Sequence, residues 1–346
     1  MNNKANKILI TGGAGYIGSH VAERLVNSKL KIIAFDNLSR GNRKLINKKT
    51  KFIKADVNNL KKLKKVISEN NVNTVIHLGG LASVAESLIR KKKYYINNVL
   101  GTLNVIKACN KSSVKNFIYS SSCSVYGNVE GNVDEKKKPN PKSYYAYTKF
   151  KSENLIKKFS KKYKYKYIIL RYFNVAGASN SGKIGEIGNK NDRLIKNLAI
   201  QYFKKNPKIN IHGSNYKTKD GTCIRDYIHV SDIADIHYQC IKYLNKYSKS
   251  NIFNCGYGKG YSVLEIANIL KNEELIYNGA NIEEKNEAKQ TPYACIKDGF
   301  VRKDWEKFLK KTYTDFVKFI HTKYPVFPEA RRNFTKFKYK YCAFTF

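Results

Sequence analysis

The sequence predicts an α/β fold: a doubly wound parallel sheet followed by a smaller C-terminal α/β lobe. Three observations carry this. Strand-like and helix-like segments alternate through the first half, a glycine-rich turn joins the first of each, and the pattern changes after Asn174. Short apolar runs read as strands at 7–11, 31–35, 51–54, 74–78, 116–121 and 167–171. Helical periodicity lies between them at 16–28, 58–70, about 83–110 and about 143–163. Such alternation puts helices on both faces of the sheet and gathers the carboxyl ends of the strands at one edge, where ligands bind. Gly12, Asp36, Asp56, Gly79-Gly80, Ser120–Ser122 and Tyr172–Asn174 stand at those ends.

The first turn is the most specific. Ile8, Leu9 and Ile10 form a short apolar run, glycines follow at 12, 15 and 18, and a helical pattern (Ile17, Val21, Leu25) begins directly after. Gly12 permits the turn, Gly15 lets a pyrophosphate approach the backbone N–H groups, and Gly18 lets the helix pack on the strand. An ordinary strand-to-helix turn is the bland alternative. The second strand, however, ends in Asp36, at about the 20-residue spacing expected of a ribose-binding carboxylate. A Rossmann-type dinucleotide site is therefore expected, and Asp36 favours NAD over NADP.

Composition narrows the class. The chain has 346 residues, 42% of them hydrophobic, enough for one large or two modest domains. No run of about 18 apolar residues suggests a membrane span. Met1 leads almost directly into the first strand, with no room for a signal peptide. The cysteines at 109, 123, 223, 240, 255, 295 and 342 stand singly, as expected of reduced thiols in a cytoplasmic protein with no metal site. The net charge is +40, yet arginine supplies only 10 of the 66 basic residues. The lysines are spread in short runs (61–65, 91–93, 136–138, 161–166), as on solvated helix faces. Nucleic acid is therefore not expected as the primary partner. The charge should help attract anionic substrates at low salt.

Residues 1–175 are expected to form the dinucleotide-binding domain, with 225–255 rejoining it. Residues 176–192 are rich in Gly, Ser and Asn and read as loop; a helix at 193–205, a strand at 208–211 and a turn-rich stretch at 212–222 follow. Residues 176–346 form mainly the second lobe, and 333–346 is a basic, aromatic tail.

Tyr145 and Lys149 lie four residues apart after the Pro139-Asn-Pro141 turn and share one helix face. Free tyrosine has a pKa near ~10 and is a poor base. A nearby ammonium stabilises its phenolate, so Tyr145 could take a proton from a substrate hydroxyl while hydride leaves the same carbon. The chain's 26 tyrosines make the pair weak evidence alone. The strand end Tyr119-Ser-Ser-Ser122-Cys-Ser124-Val-Tyr126-Gly127 adds Ser122, placed to bond the reacting oxygen, although it also reads as a serine-rich turn.

With these motifs in this order, the chain resembles the extended short-chain dehydrogenase/reductases, in particular the branch that epimerises UDP-sugars at C4. The resemblance covers roughly residues 7–270. It rests on Thr11–His20, Asp36-Asn-Leu, Tyr94–Thr102, Ser120–Gly127, Arg171-Tyr-Phe-Asn174 and, most diagnostically, Asp220–Val230. It implies an NAD-dependent isomerase acting reversibly on UDP-glucose and UDP-galactose through a 4-keto sugar, in galactose metabolism. Ser122, Tyr145 and Lys149 would be catalytic, with Ser122 and Tyr145 also on the substrate. Gly12, Gly15, Tyr16, Ile17, Gly18, Asp36, Asn37, Asp56, Val57, Asn97, Ser120, Tyr145, Lys149 and Tyr172 would hold the cofactor. Tyr172 and Asn174 would face the sugar and its diphosphate, Arg225 would clamp the diphosphate, and Cys295 would stand where sugar bulk is limited. Asn97 could instead be a polar residue on a helix surface, and Arg225 could simply pair with Asp226. A homodimer through the helices at 83–110 and 143–163 is also implied.

The chain departs from that pattern in three places. Ala82 replaces a cofactor-contacting lysine. Glu287–Thr291 stands where relatives carry Arg-Arg-x-Gly-Asp, leaving Lys289 as the candidate substitute. Beyond about 271 the match is poor. Alternatives are therefore kept open: a UDP-N-acetylhexosamine 4-epimerase or another sugar-nucleotide-modifying member, and, in a different class, a non-catalytic NAD-binding protein with a decayed substrate lobe.

Overall fold

The computed structural model describes residues 7–179, 181–187, 193–201, 208–211, 213–269, 276–279 and 293–294. In chain order the elements are β1 (Lys7–Thr11), α1 (Tyr16–Asn27), β2 (Lys31–Asp36), β3 (Lys51–Lys54), α2 (Leu60–Glu69), β4 (Thr74–His77), α3 (Val84–Ile89), α4 (Lys91–Tyr94), α5 (Gly101–Ala108), β5 (Asn116–Ser122), β6 (Asn132–Val133), α6 (Tyr144–Tyr163), β7 (Lys166–Tyr172) and β8 (Asn174–Ala176). There follow α7 (Leu194–Gln201), β9 (Lys208–Ile211), β10 (Ile224–His229), α8 (Val230–Tyr247), β11 (Asn251–Cys255), β12 (Gly260–Ser262), α9 (Val263–Ile269), β13 (Ile276–Gly279) and β14 (Tyr293–Ala294).

Two compact units emerge. Among the described residues, the first comprises 7–175, 224–261 and 293–294; the second comprises 176–179, 181–187, 193–201, 208–211, 213–223, 262–269 and 276–279. In the first, seven parallel strands run in the order β11-β7-β5-β4-β1-β2-β3. The order reverses between β1 and β4, the switch point where such sheets open a crevice. The seventh strand, β11, extends the sheet beyond the six strands expected from apolar runs.

Alternation along each strand feeds two cores. Ile8 and Ile10 face one way, into a cluster with Val21 and Leu25 of α1 and Ile233 and Leu244 of α8. Leu9 faces the other way, into a cluster with Leu63 and Ile67 of α2, Val105 of α5 and Ile156 of α6. Each such fully buried side chain stabilises the fold by about 1.5–3 kcal/mol. The helices begin at side-chain caps: Asn59 Oδ1 accepts Lys62 N, Ser83 Oγ accepts Glu86 N and Ser143 Oγ accepts Ala146 N.

The helical pattern expected at about 83–110 is not one helix. It breaks at Arg90 (φ −113°, ψ 47°) and passes through a π-helical turn at Tyr95–Leu100 before α5. Within the π turn the Asn98 carbonyl accepts the hydroxyls of Thr102 (2.5 Å) and Ser152 (3.0 Å), which compete with the helical N–H donors.

In the second unit, β9 and β13 pair in parallel. Asp220 accepts Thr222 N (2.9 Å), Thr222 Oγ1 (2.8 Å) and Ser262 Oγ, and Leu264 N donates to Thr222 Oγ1 (3.2 Å). The 220–223 segment is thereby fastened to the start of α9. Cys295, Glu287–Thr291 and the tail at 333–346 lie outside the described residues; β14, just before Cys295, pairs with β6 in the first unit.

Candidate functional site

The glycine turn follows β1. Gly12 has φ +70°, and its N–H donates to Phe35 O at 2.8 Å. A Cβ there would sit 2.7 Å from Gly79 N, and one on Gly18 would sit 2.1 Å from Gly12 O. Gly18 is thus required by the turn itself as much as by helix-on-strand packing. Gly15 caps α1, and a Cβ there would meet only Gly12 O, at 3.2 Å, so this is the face left open to a ligand. Gly13, not singled out in the sequence, lies so close to Ala34 that its Cβ would come within 2.7 Å of that methyl. Tyr16 and Ile17 open α1; Ile17 packs on the core and Tyr16 sets its ring edge-on to His20.

Asp36, at the end of β2, is 8% exposed. Its carboxylate accepts Ala14 N (3.1 Å) and Leu38 N (2.8 Å). Burial raises its pKa and these two N–H bonds oppose the rise. Asn37 Nδ2 donates to Asp56 Oδ2 at 2.6 Å, joining the β2 and β3 ends. A single groove runs along the strand ends, lined by Gly12, Gly15, Asp36, Asn37, Val57 and Asn97 among others.

Asn98, adjacent to Asn97, was missed in the sequence. Its Oδ1 accepts Leu81 N (2.8 Å), while its Nδ2 donates to Leu81 O and to Thr148 Oγ1 (both 3.0 Å). A second missed element runs from Gly79 N to Thr11 Oγ1 (3.3 Å), on to His77 Nδ1 (2.6 Å), and from His77 Nε2 through Thr102 Oγ1 (2.9 Å) to Asn98 O. Because Thr102 donates to the carbonyl, Nε2 carries the His77 proton and Nδ1 accepts from Thr11. Burial, with the Lys149 ammonium nearby, pushes His77 down to about 3. The paired asparagines could have signalled Asn98; nothing local distinguishes His77 from a core residue.

Lys149 reaches from α6 to β5, the strand that ends in Ser122, and stands beside Tyr145. Lys149 is 6% exposed, and its Nζ donates to Ser120 O at 2.8 Å. That Nζ lies 6.0 Å from the Tyr145 ring centroid. Burial pushes Lys149 down to about 8, and the Glu153 carboxylate one turn further along α6 opposes this. Ser122 Oγ accepts Ser124 N (3.2 Å) and Ser124 Oγ (2.9 Å), which leaves its own proton to donate. Ser87 Oγ holds Tyr145 N (3.0 Å), tying α3 to the start of α6. Beneath this edge, the buried Glu153 carboxylate accepts Ser121 Oγ (2.6 Å) and both arms of the Arg171 fork (3.0 and 2.8 Å).

The remaining expected residues divide. Tyr172 turns its hydroxyl into the core, donating to His237 Nε2 at 2.8 Å, so only its ring and backbone face elsewhere. Asn174 Nδ2 donates to Asp226 O (3.0 Å). Arg225 does not pair with Asp226: its Nη1 donates to Ile224 O (3.1 Å), and it makes no ion pair among the described residues. Asp226 instead accepts Tyr257 N and Gly258 N (both 2.9 Å). A guanidinium left this way is available to an anion.

The groove fits a dinucleotide. Asn97 Oδ1 is buried and has no hydrogen-bond partner among the described residues, Gly15 presents bare backbone at a helix N-terminus, and the Asp36 carboxylate closes β2 beside them. No group of three or more His, Cys, Asp or Glu among the described residues could hold a metal.

A Rossmann sheet with a glycine turn and an acidic β2 end defines a dinucleotide-binding α/β protein. The chain belongs to the NAD dependent epimerase/dehydratase family, whose model matches residues 8–256. It is 38% identical over 261 residues to the UDP-glucose 4-epimerase of Lactobacillus helveticus, a match covering 75% of this chain and 79% of that one. The UDP-glucose 4-epimerase structure from Stenotrophomonas maltophila, with bound NAD and formylated UDP-arabinopyranose, superposes with a TM-score of 0.81 at 26% identity over 92% of this chain and 98% of that one. The UDP-Glc/GlcNAc 4-epimerase of Campylobacter jejuni gives 0.74 at 32% identity over 91% and 99%.

Proposed function

We propose that this chain interconverts UDP-glucose and UDP-galactose at C4, using NAD held in the strand-end groove. One observation carries the mechanism: the buried Lys149 ammonium is fixed to Ser120 O beside the Tyr145 ring, at the strand end that bears Ser122. Tyr145 takes the C4 hydroxyl proton, with its phenolate favoured by the adjacent ammonium. Ser122 donates to the reacting oxygen. Bound NAD supplies a reversible hydride acceptor. The 4-keto sugar would then turn about its bond to the diphosphate and present its other face to the returning hydride, while Tyr145 gives its proton back to the C4 oxygen. Asp36 and Asn37 hold the adenosine ribose, Asp56 and Val57 border the adenine, and Asn97 meets the cofactor through its unpaired Oδ1. Asn174 and Arg225 grip the diphosphate, and Cys295 borders the sugar. The residues from 176 onward supply most of the substrate lobe.

Ile89, Ile96, Leu100 and Tyr147 are exposed on the helical segments of 84–108 and on α6. This apolar face supports a homodimer formed through those helices. The free, buried cysteines at 109, 123, 223, 240 and 255 are in keeping with the cytoplasm. No helix among the described residues is long and apolar enough to cross a membrane.

The test is UDP-galactose turnover by the purified protein, read by coupling UDP-glucose to its dehydrogenase, with UDP-N-acetylgalactosamine in parallel. Turnover of the first sustains the proposal. Likeness to the Campylobacter jejuni UDP-Glc/GlcNAc enzyme favours a second reading, an N-acetylhexosamine substrate, which turnover of the second sugar alone would select. NAD binding with neither turnover nor UDP binding would instead identify a non-catalytic NAD-binding protein.

A further inference from the structure

The strand order β4-β1-β2 places the glycine turn after β1 between two walls: the loop after β2 and the segment after β4 that leads into α3. Both walls line the groove, with Asn37, Arg40 and Gly41 on one side and Gly79, Gly80 and Leu81 on the other. One ion pair joins them: Arg40 Nη2 donates to Glu86 Oε2 at 2.6 Å. The joined residues follow the strands on either side of β1, so the pair links the two segments that border the groove.

The two halves are unequally held. The Glu86 side chain is 10% exposed; its carboxylate also accepts Lys93 Nζ (3.1 Å) and Tyr94 Oη (3.3 Å), and its N–H is capped by Ser83 Oγ. Tyr94 is itself buried against Leu81 and Tyr145. Arg40 is 46% exposed. Glu86 is thus an anchored post and Arg40 a swinging arm. A lone surface pair contributes little, but a sheltered carboxylate already held by two other donors, Lys93 and Tyr94, is pre-formed for its arginine.

We propose that Arg40 and Glu86 form a cofactor-retaining bridge, which must part before a dinucleotide can leave the groove. This rests on the reading of the groove as the NAD site. The bridge slows release without supplying a group to the chemistry.

The experiment measures NAD release from the holoprotein, with released NAD trapped by alcohol dehydrogenase and ethanol and read as NADH. Arg40→Gln and Glu86→Gln should each speed release by about fivefold, and the double variant should be no faster than either. Added salt should speed release from the parent protein and hardly alter the variants. Lys65→Ala, which removes a surface ion pair with Glu69 on α2, should release NAD at the parent rate. Parent-like release from Glu86→Gln overturns the bridge, including the case where Arg40→Gln alone is fast, since Arg40 would then touch the dinucleotide directly. Equal acceleration by Lys65→Ala also overturns it. Failure of the parent protein to bind NAD overturns the groove reading and the bridge together.

Discussion

Asn98 grips the peptide of Leu81 from both sides, accepting its N–H at 2.8 Å and donating to its C=O at 3.0 Å. The same Nδ2 reaches Thr148 Oγ1, whose hydroxyl donates to Tyr145 O at 2.7 Å. One buried amide therefore holds the loop after β4 against the helix that carries Tyr145 and Lys149. Asn98→Ala leaves these buried groups unpaired and should destabilise the protein by about 2–4 kcal/mol. Urea unfolding checks the stability, and the remaining folded fraction should show reduced turnover. A variant as stable and active as the parent would show that the clamp is dispensable.

Tyr145→Phe removes the proposed proton acceptor while keeping the ring that packs on Leu81 and Tyr94. Turnover should fall by about 10²–10⁴-fold with NAD still bound. Near-parent turnover would move the base elsewhere.

Lys149 sets a pH limit. Its pKa is pushed down to about 8 in the fold from 10.5, so the ammonium beside Tyr145 is present below about pH 8 and lost above it. The kcat/KM profile should fall on the alkaline side near pH 8, and Lys149→Arg should remove that limb. The stability effect has the opposite sign. A lysine with a lowered pKa opposes folding while charged, so this group's contribution improves as pH rises from about 8 to 10.5. Urea midpoints across that window check it against Lys149→Met.

His77 and His237 sit neutral in the core, pushed down by burial to about 3 and about 4 from 6.5. The unfolded chain binds these protons first, so stability present above pH 6.5 is lost as pH falls toward 4 and below. The loss should be on the order of several kcal/mol across both groups. Comparing urea midpoints at pH 7 and pH 5 checks it; His77→Gln should flatten the acid limb.

Arg225→Ala should weaken UDP binding by about ten- to a hundredfold, since its guanidinium makes no ion pair among the described residues. Calorimetry measures it, and unchanged affinity would place the phosphate clamp elsewhere.

Much of the fold was legible because its signals are local. The alternation of Ile8, Leu9 and Ile10 between two faces marks a strand covered on both sides, and a positive φ at Gly12 is what a glycine in such a turn permits. The break at Arg90 and the π turn were not legible. At the π turn the Thr102 and Ser152 hydroxyls reach the Asn98 carbonyl, and Ser152 belongs to another helix. Tyr172 read as a ligand-facing residue by its place at a strand end. Its hydroxyl bonds to His237, 65 residues away.

By itself, then, the sequence determined the layered α/β plan, the glycine turn, the strand ends at which Asp36 and Ser122 stand and the helix start that carries Tyr145. Hydrophobic period, glycine geometry and spacing act within a few residues of each position. Only the tertiary structure decided that Asn98 holds Leu81 while Asn97 lines the groove, that Arg171 meets Glu153, and that Arg40 of the loop after β2 reaches Glu86 of α3. Those pairings depend on which helices and loops the sheet order makes neighbours, and no local pattern encodes a bond between side chains that distant elements bring together.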